Sequence, residues 1–319
     1  TVVAKPEYLR KKSPLHAISK FEKFYEKMQL PLDPFQLILC LHIVILMLLN
    51  GRIYELVQRV RLKKMERAAG VGAGGELSQK HEWQPAGAHG DGNLLAYIAL
   101  HDGLFAMRLV IAEIPAGIAE LMCLPREIDL MPSWNIFCSW GGLLRLNTPT
   151  DLVAGGVLSL PWPVPRHSVM LHAHVHDRMA TMGCVLVDAA DAHASFEGEK
   201  PAELASCPHM LPIQGGIAHL KPLPPSQDGA PRSAVDFVVE VDLKRMTMLG
   251  GALAANMPQW LIAMVMTVVV PWVYRKALGV LRDQVAKPTT ALGARMAKDE
   301  TGVYRDIRRW AGQAPPPVS

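Results

Sequence analysis

The chain has little of what a catalytic or nucleic-acid-binding protein displays. Of its 319 residues only 19% are charged and 6% aromatic, and the net charge is +4. So mild a balance permits attraction to an anionic membrane surface but falls short of a nucleic-acid footprint. The five cysteines, Cys40, Cys123, Cys138, Cys184 and Cys207, form no C-x-x-C pair. An odd number without that spacing argues against a disulfide framework or zinc knuckle and for a reducing compartment, cytoplasmic or organellar. There is no G-x-S-x-G, no H-E-x-x-H, no P-loop and no G-x-G-x-x-G opening a helix after a strand. The sequence therefore offers no assembled catalytic site and no cofactor fingerprint, and the expectation is a protein that is not an enzyme. It opens on Thr1 rather than Met, so a targeting peptide is neither shown nor excluded.

What is abundant is apolar surface: half of the residues are hydrophobic, and 16 are Met, which suits irregular cores and adaptable apolar pockets. The run Met246–Tyr274 carries no charge and sits between Lys244-Arg245 and Arg275-Lys276. It is either a membrane span or a helix buried around most of its girth. The strand-like VDFVVEVD of Val235–Asp242 just before it favours the buried helix.

Near the N-terminus, Leu15, Ile18, Phe21, Tyr25 and Met28 have helical spacing, and Leu30–Pro34 breaks it. A second helix is expected over Phe35–Glu66, apolar nearly all round as far as Leu49 and basic over Arg52–Arg67. Its apolar part falls short of the roughly 20 residues a bilayer span needs. The organisation read from these patterns is an αα-hairpin over 1–69, a Gly-, Ala- and His-rich linker over 70–92, a main domain over 93–286, and a C-terminal extension with a Pro-rich tail over 287–319. In the main domain, Leu94–Leu100 and Leu104–Ile111 read as a hairpin about Asp102-Gly103. Pro115–Met122 reads as a short helix. Further strands are expected at Val153–Leu160, His167–His176, Gly183–Val187, Ile217–Leu223 and Ala234–Leu243. Many short strands followed by one long terminal helix give an α+β domain, with an antiparallel sheet wrapping an apolar helix.

Three polar constellations stand out. His172, His174 and His176 recur at period two and would share one face of a strand. A neighbouring pair could hold a metal, but the outer members would lie about 13 Å apart, too far for one ion. A third ligand would come from elsewhere, and the sequence shows no obvious Cys, His or Glu for it, so no metal is assigned. Asp188, Asp191 and His193 fall in a loop-like stretch where a carboxylate near a His is commonplace. Glu127, Asp129 and Arg166 either orient the polar head of an apolar ligand or form ordinary surface ion pairs.

Four segments resemble a known family. PREIDLMPSWN (Pro125–Asn135) resembles the part of START (steroidogenic acute regulatory-related lipid transfer) domains where a short helix leads to an acidic E-x-D-L and a W-N. LPWPVPRHSVMLHAHVHD (Leu160–Asp177) is similar to that family's PWP-x-x-x-R turn and following strand, with His167 where an acidic residue usually follows the Arg. Gly183–Val187 resembles the next strand, and Val238–Leu261 resembles the D-x-K … P-x-W-L passage into the terminal helix. The resemblance spans Leu94 to Arg282. It implies a START-like helix-grip fold, a curved antiparallel sheet around a long C-terminal helix, preceded here by the αα-hairpin. It also implies a hydrophobic tunnel for one lipid or sterol, bound without catalysis or cofactor, and transfer at a membrane surface. The implied contacts are Met246, Met257, Leu261, Val265 and Val268 on the helix. Arg166, His172 and His174 are the implied head-group contacts on the sheet. Pro258 would fit a first helical turn, whereas Pro271 should kink the helix. The unusually apolar terminal helix, the long loops Ala192–Pro212 and Pro222–Pro231 and the extra hairpin support an alternative: an accessory subunit of a membrane-associated complex that uses the fold for docking.

Overall fold

The computed structural model describes residues 81–89, 93–159, 165–207, 209–245 and 265–313, all within one unit of the chain. The N-terminal hairpin with its Phe35–Leu49 segment, Cys40, and most of the Met246–Tyr274 run lie outside the described residues. Among those described, no helix is long and apolar enough to cross a membrane.

Nine strands form one antiparallel sheet in the order β1-β2-β3-β9-β8-β7-β6-β5-β4. They are β1 Gln84–His89, β2 Leu94–His101, β3 Leu104–Ile114, β4 Cys138–Thr148, β5 Asp151–Leu158, β6 His167–Arg178, β7 Cys184–Asp191, β8 Ile213–Leu223 and β9 Arg232–Asp242. The β2–β3 turn forms where expected. Asp102 (φ 48°) and Gly103 (φ 79°) both take the left-handed conformations that a two-residue hairpin turn of this twist requires. Helix α1 (Ile118–Arg126) and a 3₁₀ segment (Ile128–Ser133) then carry the chain from β3 to the far edge at β4, and the strands meander back, with short helices α2 (Met179–Met182) after β6 and α3 (Ala202–Ala205) after β7, until β9 pairs with β3.

Two strands escape the sequence pattern. β1 lies inside the stretch expected to be linker, because its Ala86-Gly87-Ala88 centre lacks the bulky residues that mark a strand. β4 is hidden by glycine. Gly141 and Gly142 pair with Gly156 and Gly155 of β5, and a Cβ on Gly141 would come 2.1 Å from the Ile128 carbonyl oxygen. These glycines let the 3₁₀ segment and Trp140 lie directly on the backbone. Both edge strands are irregular. Register shifts fall between Pro85 and Gly87 in β1, and at Cys138/Trp140, Leu143/Arg145 and Leu146/Thr148 in β4.

The terminal helix runs without a break through a π turn (Val265–Val269), helix α4 (Val270–Val280) and a second π turn (Leu281–Val285). Pro271 falls at the start of the α-helical stretch, where a missing N–H breaks none of its i→i−4 bonds. Met266 and Val270 pack with Leu94 and Ala96 of β2. Val280, Leu281 and Val285 share a larger core with Val175, Val185 and Leu220, and with Ile118, Met122 and Cys123 of α1. The face of the sheet carrying Val175, Val185 and Leu220 is therefore the inner face.

The extension after residue 286 is not loose. Helices α5 (Ala291–Lys298) and α6 (Val303–Trp310) bury Leu292, Met296, Val303, Tyr304 and Ile307 in that same core. Asp299 joins them: its two carboxylate oxygens accept from Tyr304 N (3.1 Å) and Arg305 N (2.8 Å), capping the start of α6. The four described cysteines are free.

Candidate functional site

Between sheet and helix the inner face is apolar and incompletely covered. Met107 and Leu109 of β3, Phe237 of β9, Ala218 of β8, Val187 of β7 and Leu171 of β6 all belong to this face by register, and all are only partly buried. Toward one end the packing closes: Val175, Val185 and Leu220 are 9%, 0% and 5% exposed. Small residues such as Ala218 and Ala173 leave room that bulkier side chains would fill. This half-open apolar layer is chemically suited to an apolar ligand.

Of the implied contacts that are described, Val265 lies at this layer, whereas His172, His174 and Arg166 lie elsewhere. His172 and His174 sit on β6 with the parity opposite to Val175, so they project from the outer face, away from the terminal helix. A head-group contact made by these two side chains would therefore come from that outer face. The sequence shows that the histidines share a face, but which face meets the helix depends on packing. Arg166 is exposed just before β6, with Nη2 donating to Ser139 Oγ at 3.4 Å. It lies roughly 20 Å along the strand from His172. Val265 packs against β1–β3 in the cluster of Met266 and Val270. Met246, Met257 and Leu261 lie outside the described residues, as does the side chain of Val268.

The outer face carries the polar residues that the sequence left scattered. Asp151 and Asp188 stand directly opposite His174 on β5 and β7. His172 Nε2 donates to Asp151 Oδ1 (2.6 Å), and His176 Nε2 donates to Asp188 Oδ1 (2.6 Å). His174 lies between, with Nε2 3.5 Å from Asp151 Oδ1 and Nδ1 3.6 Å from Asp188 Oδ2. Partial burial pushes the Asp151 carboxyl up, but hydrogen bonds from His172 and Asn147 outweigh it and hold the group below the usual carboxylate range. Asp188 and Asp191 therefore belong to strand β7, not to a loop. The signal for Asp151 was present in the T-P-T turn before it, which sets the β4–β5 register.

Further along β6, Asp191 Oδ1 and His193 Nδ1 are 2.6 Å apart, and His193 Nε2 is 3.4 Å from Ser168 Oγ. The order suggests a nucleophile relay. However, Ser168 is 3% exposed and its hydroxyl donates to the His209 carbonyl (3.1 Å), so the set ties the 192–212 segment to β6. Nearby, His167 Nδ1 donates to the Pro165 carbonyl (2.8 Å), and burial lowers the pKa of this ring. Nearer the sheet's other end, Arg108 makes a two-pronged pair with Asp236 (2.8 and 2.7 Å). This hydrogen bond and charge hold the guanidinium's pKa above its ordinary value despite burial.

Glu127 and Asp129 are taken up in contacts with the C-terminal helices. Both pair with Arg295 of α5 (2.8 and 2.6 Å), and Glu127 Oε1 accepts from Tyr304 OH of α6 (2.6 Å). Arg308 of α6 reaches Glu120 at 3.1 Å. The acidic motif after α1 thus fastens the two C-terminal helices to the domain. Burial pushes the Cys123 thiol beside them up to about 12, which disfavours the thiolate.

No family model and no curated protein matches the chain. Solved structures do. Human STARD10 is similar at 10% identity over 72% of this chain and 90% of that one, with a TM-score of 0.48. Human StAR-related lipid transfer protein 5 is similar at 12% identity over 74% and 99%, TM-score 0.45. A STAR-related lipid transfer protein from Xanthomonas axonopodis is similar at 19% identity over 63% and 99%, TM-score 0.42.

Proposed function

We propose that the chain binds one lipid or sterol between the inner face of the sheet and the terminal helix, in a helix-grip arrangement, and hands it over at a membrane surface. The observation that carries this reading is the apolar inner layer left partly open at mid-sheet, around Leu109, Phe237, Ala218 and Leu171. Covering such a layer with a ligand gains roughly 25 cal/mol per Å² of apolar surface buried. Leaving it empty forfeits that gain. A polar edge is available at the helix, where Asn93 Nδ2 donates to Tyr274 OH at 2.8 Å. Met246, Met257, Leu261 and Val268 belong to the proposal as helix-side contacts. Arg166 belongs to it only as a group at the domain surface.

Native mass spectrometry of the full chain, after incubation with mixed phospholipid and sterol vesicles, tests the reading. One lipid or sterol per chain is expected. Ala218→Trp, which fills the inner layer, should lower occupancy at least about tenfold, by the scale of affinity changes that lost burial produces. A folded wild-type chain that takes up no lipid or sterol would overturn it.

A further inference from the structure

The geometry points to a divalent transition-metal site on the outer face, formed by Asp151, His172 and His174, with Zn²⁺ as the chemically best-matched ion. It is independent of the lipid reading, since it lies on the opposite side of the sheet.

The ligand atoms of the three residues all lie within 4.8 Å of one another. Four ligands at about 2.0–2.1 Å in tetrahedral geometry sit roughly 3.4 Å apart. His174 Nε2 and Asp151 Oδ1, at 3.5 Å, already have that separation. His172 Nε2, now hydrogen-bonded to the same oxygen at 2.6 Å, needs to withdraw by less than about 1 Å. The imidazoles are poised for it: their ring centroids are 4.2 Å apart and tilted by 50°, so both edges converge on the carboxylate. Two imidazole nitrogens and one carboxylate oxygen suit Zn²⁺ better than Ca²⁺ or Mg²⁺, which prefer all-oxygen sets.

The surrounding residues supply what a bare surface cluster lacks. Asp188 Oδ2 stands 3.6 Å from His174 Nδ1 and favours the tautomer protonated there, leaving the Nε2 lone pair free to ligate. Asn147 Nδ2 donates to Asp151 Oδ1 at 3.0 Å and helps to fix the carboxylate. The backbone is regular β structure, with Asp151 directly opposite His174. The ligand set is therefore held by strand register rather than by a loop. Any proton on a ligating nitrogen leaves for solvent when the ion enters. At 26–35% side-chain exposure the fourth position opens to water or to a donor from another molecule.

The test is Zn²⁺ titration of the full chain, stripped with chelator beforehand, against a chromophoric competitor. About one ion per chain is expected. Asp151→Asn and His174→Gln should abolish uptake, Asp188→Asn should weaken it roughly 10–100-fold, as loss of an outer-shell partner does, and His176→Gln should leave the stoichiometry unchanged. Imidazole ¹⁵N signals of the unaltered chain provide a readout that needs no variant: those of His172 and His174 should shift on Zn²⁺ addition, and that of His101 should not. Absence of stoichiometric uptake, uptake indifferent to Asp151→Asn and His174→Gln, or shifts confined to other histidines would each overturn the assignment.

Discussion

On the inner face of β6, Val175 is 9% exposed and shares a core with Val280 and Val285 of the terminal helix. One residue further on, His176 points the other way, with its side chain 41% exposed and bonded to Asp188. The same backbone thus separates two chemistries through the two-residue period of a strand. Inside, around Val175, Val185 and Leu220, the packing is between apolar groups, and position matters more than identity. Outside, around His174, carboxylates alternate with imidazoles, and identity matters because each polar group needs its complement. A ligand held by burial belongs to the first face, and one held by coordination or charge belongs to the second.

The sharpest way to break the comparison is to give the inner face an outer-face residue. Val185→Asp places a carboxylate at a site that is 0% exposed, among Val175, Leu220 and the terminal helix. A loss of at least about 4 kcal/mol is expected in urea unfolding, because the charge finds no partner there. Arg108→Ala is the outer counterpart. It strands Asp236 beneath the surface and should cost roughly 3 kcal/mol in the same assay, the scale of removing one member of a buried pair. Tyr304→Phe removes one hydrogen bond to Glu127 while Arg295 keeps its own. Thermal melting should report a loss of about 1–2 kcal/mol.

The smallest effect is a pH dependence. Burial keeps His167 and His219 below the ordinary histidine range in the folded chain. Unfolded, both rings bind protons below about pH 6.5. The stability these neutral rings contribute is therefore complete above that pH and declines as the solution is acidified through it. His167→Gln should flatten part of the fall in melting temperature between neutral and mildly acidic buffer, and an unchanged slope would show that the ring does not contribute.

Much of the sheet was legible from residues alone. The Asp102-Gly103 turn located β2 and β3, and alternation located β5 to β9. Where side chains were small, as in Ala86-Gly87-Ala88 and Gly141-Gly142, the strands left no pattern, since their pairing is decided by what lies on top of them. The docking of α5 and α6 was equally hidden. It rests on Arg295 meeting Glu127 and Asp129 from 168 and 166 residues away, which no local spacing reveals. Of the site, the shared face of the three histidines could be read. The partners Asp151 and Asp188, and the side of the sheet that the histidines occupy, depend on strand order.

The staggered rims of the sheet have a consequence for the protein in a crowded solution. An even, flat rim would offer free N–H and C=O groups in the spacing that a second copy's strand needs. At β4 the spacing is interrupted three times along one strand, and at β1 once, beside a proline that has no N–H to offer. Leu143 and Leu146 are 50% and 41% exposed on that rim, so the greasy material for fibre growth is present while the backbone ladder it requires is not. On this rim the interrupted ladder and the exposed Arg145 between the two leucines both oppose self-polymerisation, and a deletion that straightened β4 would weaken that protection without touching the core.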